Sequence, residues 1–316
     1  MFKPKGEYSV DVVIPTLNSE RTIEDCLRSL LKQRFKGKLN IMILDGGSTD
    51  RTLEIANKFG VNILIRKDMY SMGKNGRRHL GELITNSPFI WYVDSDNIIV
   101  EDTVLSRLVE PLVHDPSINI SIPMTALDKN ASSFNNAISI NEIRNVENMA
   151  KNGIAYNDGY ILLQDMNYGL TNCTLVRRTA AESVGGFDMD VRMLNRLRRS
   201  GLSKGIIDTK SHFYHNQADS LIHYLKKWNK RIKFYSKFSE NDLKDYFVEY
   251  PQKSDVSMKM KTDNIRNMLS LPFIAMIMFY RSGDRIWLWM VFYPFAVLAL
   301  VLLHPIRSLK VFRKFL

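Results

Sequence analysis

Residues 89–96, Phe-Ile-Trp-Tyr-Val-Asp-Ser-Asp, run from an apolar, aromatic block into two carboxylates one residue apart. The length and β-rich composition of the block predict a buried strand. Such a strand places Asp94 and Asp96 at its carboxyl end, which is the edge of an open α/β sheet where ligands bind. Two oxygen-rich side chains there suit a hard divalent cation. Taken alone, the pattern fits a polar turn after a core strand equally well.

Strand and helix patterns alternate four times before residue 97. Apolar strand patterns cover residues 10–15, 39–44 and 61–65, and helical patterns cover residues 20–33, 52–59 and 77–85. This alternation is typical of βαβ units and predicts a mostly parallel sheet with helices on both faces. Further helices are expected over residues 103–113, 134–150 and 179–184, strands over 119–123 and 170–177, and a mobile loop around 152–158.

Composition limits the kinds of protein to consider. The chain has 316 residues, enough for one large domain or two smaller ones. Lys and Arg number 44 against 33 Asp and Glu, which favours nucleic acid, an anionic membrane or a phosphorylated ligand as partner. Cys26 and Cys173 make no disulfide framework, and Cys26 lies in a helical pattern typical of the core. From the two cysteines we expect a reduced, cytoplasm-facing protein or one indifferent to redox state. The N-terminus shows no apolar segment of the signal-peptide kind, so no signal peptide is expected.

The last hundred residues have the composition of a membrane-associated segment. Residues 223–231 mix Lys and Arg with Tyr224 and Trp228, which favours an interfacial amphipathic helix, with a solvated helix face as the alternative. Two apolar runs, about 268–280 and 286–303, predict a transmembrane hairpin, with a core helix pair as the alternative. Cations on both outer flanks place the N-terminal domain and the C-terminus in the cytoplasm. The expected division is a main domain over 1–215, interfacial helices and linker over 216–263, and transmembrane segments with a basic tail over 264–316.

Four motifs occur in order along the first two-thirds of the chain. They are Val-Val-Ile-Pro-Thr-Leu-Asn (12–18), Ile-Leu-Asp-Gly-Gly-Ser-Thr-Asp-Arg-Thr (43–52), Asp-Ser-Asp (94–96), and Gly-Gly-Phe-Asp (185–188) with Asp190 and Arg196-Leu197. Together they resemble the family 2 glycosyltransferases over residues 10–235, including membrane-bound dolichol-pathway mannosyltransferases and minimal cellulose-synthase-like members. The resemblance implies a GT-A fold, a Rossmann-like, mostly parallel mixed sheet flanked by helices.

The resemblance also implies a nucleotide-sugar site with a divalent ion, Mg²⁺ or Mn²⁺. Asp96, Asp94 and His215 are its expected ligands, with His212 as a weaker candidate, and the ion would neutralise the departing diphosphate. The expected contacts of the nucleotide sugar are Pro15, Thr16, Asn18, Glu20, Asp45, Gly47, Asp68, Lys74, Arg77, Asp94 and Ser95. Asp45 is a base or ribose acceptor on this interpretation and a turn carboxylate on the alternative one. Gly46 departs from the family, which often has a second acid there.

An attacking hydroxyl needs a general base, and by resemblance this is Asp190 at the start of a helix, where the helix dipole would keep it ionised. The family's usual Glu is Met189 here, so Asp188 is a rival base. Asn172, Trp228 and Arg231 are expected on the acceptor side.

These features predict an inverting, metal-dependent glycosyltransferase, integral to the cell membrane with its catalytic domain on the cytoplasmic side. The first expectation for the donor is GDP-mannose, followed by a UDP-sugar. The expected acceptor is a polyprenyl- or dolichol-linked glycan, with membrane lipid but no nucleic acid as partner. One alternative is a polyprenyl-phosphate sugar synthase. From other classes, a nucleotidyltransferase or a non-catalytic membrane scaffold remains open.

Overall fold

A computed structural model of the chain describes residues 8–66, 73–166, 172–187, 190–220, 222–224 and 226–227. The chain divides into two compact units, one of Met1–Ala126 with Glu142–Asn216 and one of Leu127–Asn141 with Gln217–Leu316. The predicted transmembrane runs, and all of the predicted interfacial segment beyond residue 227, lie outside the described residues. Among the residues that are described, no helix is both long and apolar enough to cross a bilayer.

Ten strands and seven α-helices make up the described residues. The strands are β1 (Ser9–Thr16), β2 (Lys38–Asp45), β3 (Asn62–Ile65), β4 (Phe89–Tyr92), β5 (Asn97–Ile99), β6 (Ile120–Ala126), β7 (Ile154–Tyr156), β8 (Tyr160–Leu163), β9 (Thr174–Arg177) and β10 (Gly205–His215). The helices are α1 (Ile23–Leu31), α2 (Thr52–Asn57), α3 (Gly73–Ile84), α4 (Val104–His114), α5 (Ser133–Ala150), α6 (Arg178–Ser183) and α7 (Asp190–Arg199).

The strands form one mixed sheet in the order β3-β2-β1-β4-β9-β6-β10-β8-β7, with β5 paired to β10. Strands β1 to β4 pair in parallel, as the βαβ pattern predicts. On the other side of β4 the pairs are antiparallel, except for β6 with β10. The predicted parallel arrangement is therefore confirmed for the first half of the sheet and wrong for the second. After β4 the connections are of mixed kinds: β5 and β8 follow short turns, whereas β6, β7 and β10 still follow helices.

Two local predictions also need correction, and one strand was not predicted. The expected mobile loop at 152–158 contains β7, which forms a hairpin with β8 through a short 3₁₀ turn at Asn157–Gly159. The strand expected from residue 170 is described only from Thr174, and residues 167–171 are not described. Strand β5 was not predicted, because three residues directly after a polar turn are too few to show an alternating pattern.

Apolar side chains cover both faces of the sheet. Alternation along β1 sends Val12 and Ile14 to the face packed by α1, α2 and α4, and Val13 to the face packed by α6 and α7. Cys26 is fully buried in the first of these layers, as predicted. With both faces packed, β1, β2 and β4 offer polar groups to ligands mainly at their ends.

A buried guanidinium ties three elements together near the amino end of β1. Arg178, 7% exposed, donates to Asp11 Oδ2 at 3.0 Å and to the Thr85 hydroxyl at 2.9 Å. It also donates to the carbonyl oxygens of Ser87 and Glu82 at 2.5 and 2.8 Å. The other oxygen of Asp11 accepts from the Ser87 hydroxyl at 2.7 Å. These bonds join β1, the loop before β4 and the start of α6.

Replacing Arg178 with methionine (R178M) is expected to lower the free energy of unfolding by about 3–5 kcal/mol, because it leaves Asp11 charged and buried without its cation. Urea denaturation followed by circular dichroism measures this loss. The matched control is R28M, since the pair of Arg28 with Glu24 is exposed and should contribute far less. Equal losses of unfolding free energy in the two variants would show that the buried pair of Arg178 and Asp11 stabilises the fold no more than the exposed pair does.

Candidate functional site

The carboxyl ends of β1, β2 and β4 meet at one edge of the sheet, because these strands are parallel neighbours. Thr16 ends β1, Asp45 ends β2, and Asp94 follows β4 by two residues. The loops after these strands contact one another, since the hydroxyls of Ser19 and Ser95 lie 2.8 Å apart. The structure therefore brings together the first three sequence motifs.

The carboxylate of Asp45 organises the turn after β2. It is fully buried, and its Oδ1 accepts from the backbone nitrogens of Gly47 and Ser48 at 2.8 and 2.7 Å. Its Oδ2 accepts from the hydroxyls of Thr16 at 3.0 Å and Ser48 at 2.6 Å. Four protein donors thus surround Asp45, which is the arrangement of a turn carboxylate.

The loops after β1 and β2 are joined through Asn18 and Glu20. Asn18 has a left-handed backbone, with φ of 52°, and its side-chain oxygen accepts from the Thr49 nitrogen at 2.8 Å. Glu20 accepts from the Arg51 nitrogen at 3.0 Å. Both predicted nucleotide-binding residues therefore shape the loops themselves, and Pro15 precedes them within β1.

Arg77 of α3 covers the backbone of Gly46. A Cβ atom built on Gly46 would lie 2.6 Å from the Nη1 atom of Arg77. Burial lowers the pKa of the Arg77 guanidinium, and the nearby charge of Asp45 opposes that shift. A side chain at position 46 would therefore have to move the end of the Arg77 side chain.

Asp94, Asp96 and His215 form a potential cation site. Each offers a ligand atom, and these atoms all lie within 4.8 Å of one another. His215 Nε2 is 3.4 Å from Asp96 Oδ1. The antiparallel pairing of β10 with β5 sets His215 opposite Asn97, which brings a distant histidine next to the acidic pair. Carboxylate and imidazole ligands together fit Mn²⁺, and carboxylates fit Mg²⁺.

Two cations of α3 hold Asp94. The fully buried guanidinium of Arg78 bonds Oδ1, and Lys74 Nζ lies 3.2 Å from Oδ2. Burial alone would raise the pKa of Asp94, but the charges of Arg78 and Lys74 outweigh it and lower this pKa. Asp94 is therefore a carboxylate at neutral pH. The spacing of Lys74 and Arg78, four residues apart on one helix, signals a shared face, but not which acid it meets.

Sequence reasoning missed Glu142 of α5. Its Oε2 lies 2.9 Å from His215 Nδ1, and its Oε1 accepts from Asn172 Nδ2 at 2.6 Å. Burial would lower the pKa of His215, but the carboxylates of Glu142 and Asp96 outweigh it and raise this pKa to about 10. Asn172, predicted on the acceptor side, thus lies beside the candidate metal ligand. No motif marks Glu142, because only the folding of α5 against β10 creates the contact.

His212, the weaker metal candidate, does not join the acidic cluster. Its Nδ1 lies 2.8 Å from a carboxylate oxygen of Glu101, and its backbone nitrogen donates to the other oxygen of that residue at 2.7 Å. Both histidines follow the main motifs in the sequence and lie on β10, but their side chains contact different acids, Glu101 for His212 and Glu142 for His215.

Glu82 of α3 holds the turn that leads toward the predicted base. This carboxylate, 3% exposed, accepts from the Phe187 nitrogen at 2.7 Å and from the Tyr92 hydroxyl at 3.3 Å. Arg78 lies over the Phe187 ring, 5.2 Å from its centroid. Asp190 begins α7, as predicted. The positions of Asp68, Asp188, Trp228 and Arg231 lie outside the described residues.

The fold and site define an α/β protein with polar loops at one edge of a mixed sheet. Two carboxylates and a histidine at that edge form a cluster that could bind a cation. Residues 11–184, more than half of the chain, match the model of glycosyl transferase family 2. The chain belongs to this family, which confirms the predicted glycosyltransferase class. The mixed sheet with flanking helices fits the expected GT-A architecture.

Similar proteins include the poly(ribitol-phosphate) beta-N-acetylglucosaminyltransferase TarS of Staphylococcus aureus, 34% identical over 29% of this chain and 17% of TarS. An N-acetylglucosaminyltransferase of Rhizobium leguminosarum is 34% identical over 36% of this chain and 27% of its own length. The chain thus spans less than a third of either relative. A structure of glucosyl-3-phosphoglycerate synthase from Mycobacterium tuberculosis is also similar, with 18% identity and a TM-score of 0.49. The match covers 78% of this chain and 80% of the synthase chain.

Substitution at Gly186 should test the hold of Glu82 on its turn. Gly185 and Gly186 both have left-handed backbones, with φ of 86° and 73°, so alanine costs about 1–2 kcal/mol at either position. A Cβ on Gly186 would lie 3.0 Å from Glu82 Oε2, whereas one on Gly185 would meet nothing within 4 Å. G186A should therefore lose about 1–3 kcal/mol more than G185A in chemical denaturation. Equal destabilisation would contradict a tight Glu82 contact.

Proposed function

We propose that this chain transfers a sugar from a nucleotide sugar to an acceptor hydroxyl with the help of a divalent cation. The observation that carries the proposal is the cluster of Asp94, Asp96 and His215 at the sheet edge of a family 2 domain. Asp96 and His215 would hold Mg²⁺ or Mn²⁺, with Asp94 beside them. The bound ion would act as a Lewis acid on the leaving diphosphate.

Lys74 is the residue best placed to bind a phosphate oxygen of the donor. Its side chain is 36% exposed, whereas Arg78 is fully buried against the same carboxylate. Lys74 can therefore turn from Asp94 to a ligand while Arg78 still neutralises that acid. Arg77, beside Asp45 and Gly46, adds positive charge on the side of the nucleoside loops.

The donor proposed here is a UDP-sugar ahead of GDP-mannose. Two relatives carry the name of N-acetylglucosaminyltransferase, which favours a UDP-linked amino sugar as the first donor to test.

We retain a polyprenyl-linked acceptor at the cytoplasmic face of the membrane as part of the proposal. It rests on the apolar runs 268–280 and 286–303 and on their cationic flanks. Alkaline extraction of membranes containing the full chain tests this part.

Release of the nucleoside diphosphate is the direct test of the reaction. The full chain should release UDP or GDP from one of a panel of donors when Mn²⁺ and a lipid extract are present. D96N should lower the rate roughly 100-fold or more, since the metal supplies several kcal/mol of charge stabilisation. D25N, which neutralises an exposed acid of α1, is the control and should keep the rate. Full activity of D96N would overturn the metal-dependent mechanism, and release of pyrophosphate instead would indicate a nucleotidyltransferase.

Asp190 is the proposed general base, and a single displacement would invert the anomeric centre. D190N should lower kcat about 10²–10⁴-fold, because proton transfer from the acceptor is lost. Donor binding, measured by titration with UDP and Mn²⁺, should stay unchanged. D188N is the matched comparison at the rival position. If D188N shows the larger loss of kcat, the base is Asp188.

A further inference from the structure

Glu142 contacts the candidate metal ligand from outside the three-residue cluster. Its side chain is 15% exposed, and its Oε2 lies 2.9 Å from Nδ1 of His215. The opposite nitrogen, Nε2, lies 3.4 Å from Asp96 Oδ1. The imidazole is thus held between two carboxylates, one at each ring nitrogen.

The two ring nitrogens of His215 have different tasks if a cation binds. A neutral imidazole carries one N–H, and only the other nitrogen has a lone pair for a metal. An ionised carboxylate accepts hydrogen bonds and donates none, so Glu142 keeps the proton on Nδ1. Nε2 would then offer its lone pair to a bound cation.

Asn172 fixes the orientation of Glu142. Its Nδ2 donates to Glu142 Oε1 at 2.6 Å and lies farther, at 3.2 Å, from His215 Nδ1. An amide nitrogen can only donate a hydrogen bond, so the shorter bond, to the carboxylate, decides the orientation of the Asn172 amide. Both oxygens of Glu142 are then engaged, which favours the orientation with Oε2 at the ring.

We propose that Glu142 is a positioning residue that holds His215 in the Nδ1–H tautomer, with Nε2 directed at a cation shared with Asp96 and Asp94. The inference rests on the proposed metal-dependent function. Glu142 itself would contact neither the cation nor the sugar. In metal sites, a carboxylate on the far nitrogen of a ligating histidine orients the ring, and its loss weakens metal binding about 10–100-fold.

The test measures Mn²⁺ binding to the full chain directly, by electron paramagnetic resonance in the presence of UDP. E142Q should weaken Mn²⁺ binding about 10–100-fold. The matched control is E147Q, which makes the same change at an exposed position of α5 and should bind as the wild type does. Thermal unfolding identifies any variant that fails to fold, and N172A, which leaves Glu142 in place, then serves as the second variant and should weaken binding by a smaller factor.

A double variant separates positioning from simple attraction of charge. If Glu142 acts through the imidazole, E142Q should have no further effect once H215A has removed the ring. Additive losses of Mn²⁺ affinity in the double variant would overturn the inference. So would equal Mn²⁺ affinities of E142Q and E147Q if H215A and D96N bind Mn²⁺ weakly. Absence of Mn²⁺ binding in the wild-type chain would instead overturn the metal-dependent function. Nitrogen-15 spectra of His215 with Mg²⁺ should show Nδ1 protonated in the wild type and altered in E142Q.

Discussion

The buried ion pair between Asp94 and Arg78 is the interaction on which the site depends. A carboxylate at the end of a packed strand is costly without a cation, and a fully buried guanidinium is costly without an anion. Each therefore fixes the other, and α3 is held against the end of β4. Arg78 also lies over Phe187, whose backbone nitrogen is bound by Glu82 of the same helix. One helix thus connects the acidic cluster with the turn that leads toward Asp190.

A second group of contacts closes the opposite side of the acidic turn. Asn97, fully buried, accepts from the Asp94 nitrogen at 3.0 Å, and Asn216 donates from its backbone to the Asp96 carbonyl at 2.8 Å. These bonds hold the backbone of the acidic turn against β5 and the end of β10. His215 can therefore be a rigid partner of Asp96 even though the sequence separates the two widely. The cluster combines one acid neutralised by α3 with one acid and one imidazole presented by β5 and β10.

Local patterns were enough to predict the first half of the fold and the most polar part of the site. Apolar runs locate β1, β2 and β4, and the acidic pair follows from where β4 ends. The partners of these residues could not be predicted, because they depend on contacts between segments far apart in the chain. Glu142 lies in a helix of weak periodicity, and Glu82 in a helix whose polar residues look solvated. Their burial becomes visible only when α3 and α5 are placed against the sheet.

The turn around Asp45, where we propose that the nucleoside binds, differs physically from what the motif alone indicates. All four hydrogen bonds of Asp45 come from the protein, so a base or ribose donor must displace one of them to reach this carboxylate. Two of the four donors are backbone nitrogens, and moving them would open the turn. A hydroxyl needs only to rotate, which makes Ser48 and Thr16 the donors that can yield to a ligand. Arg77 lies over Gly46 beside this point, with Nη1 2.6 Å from the place of a Cβ on that glycine. If a nucleoside binds at this edge, as proposed above, it would meet an exchangeable hydroxyl bond at Asp45 and the positive charge of Arg77.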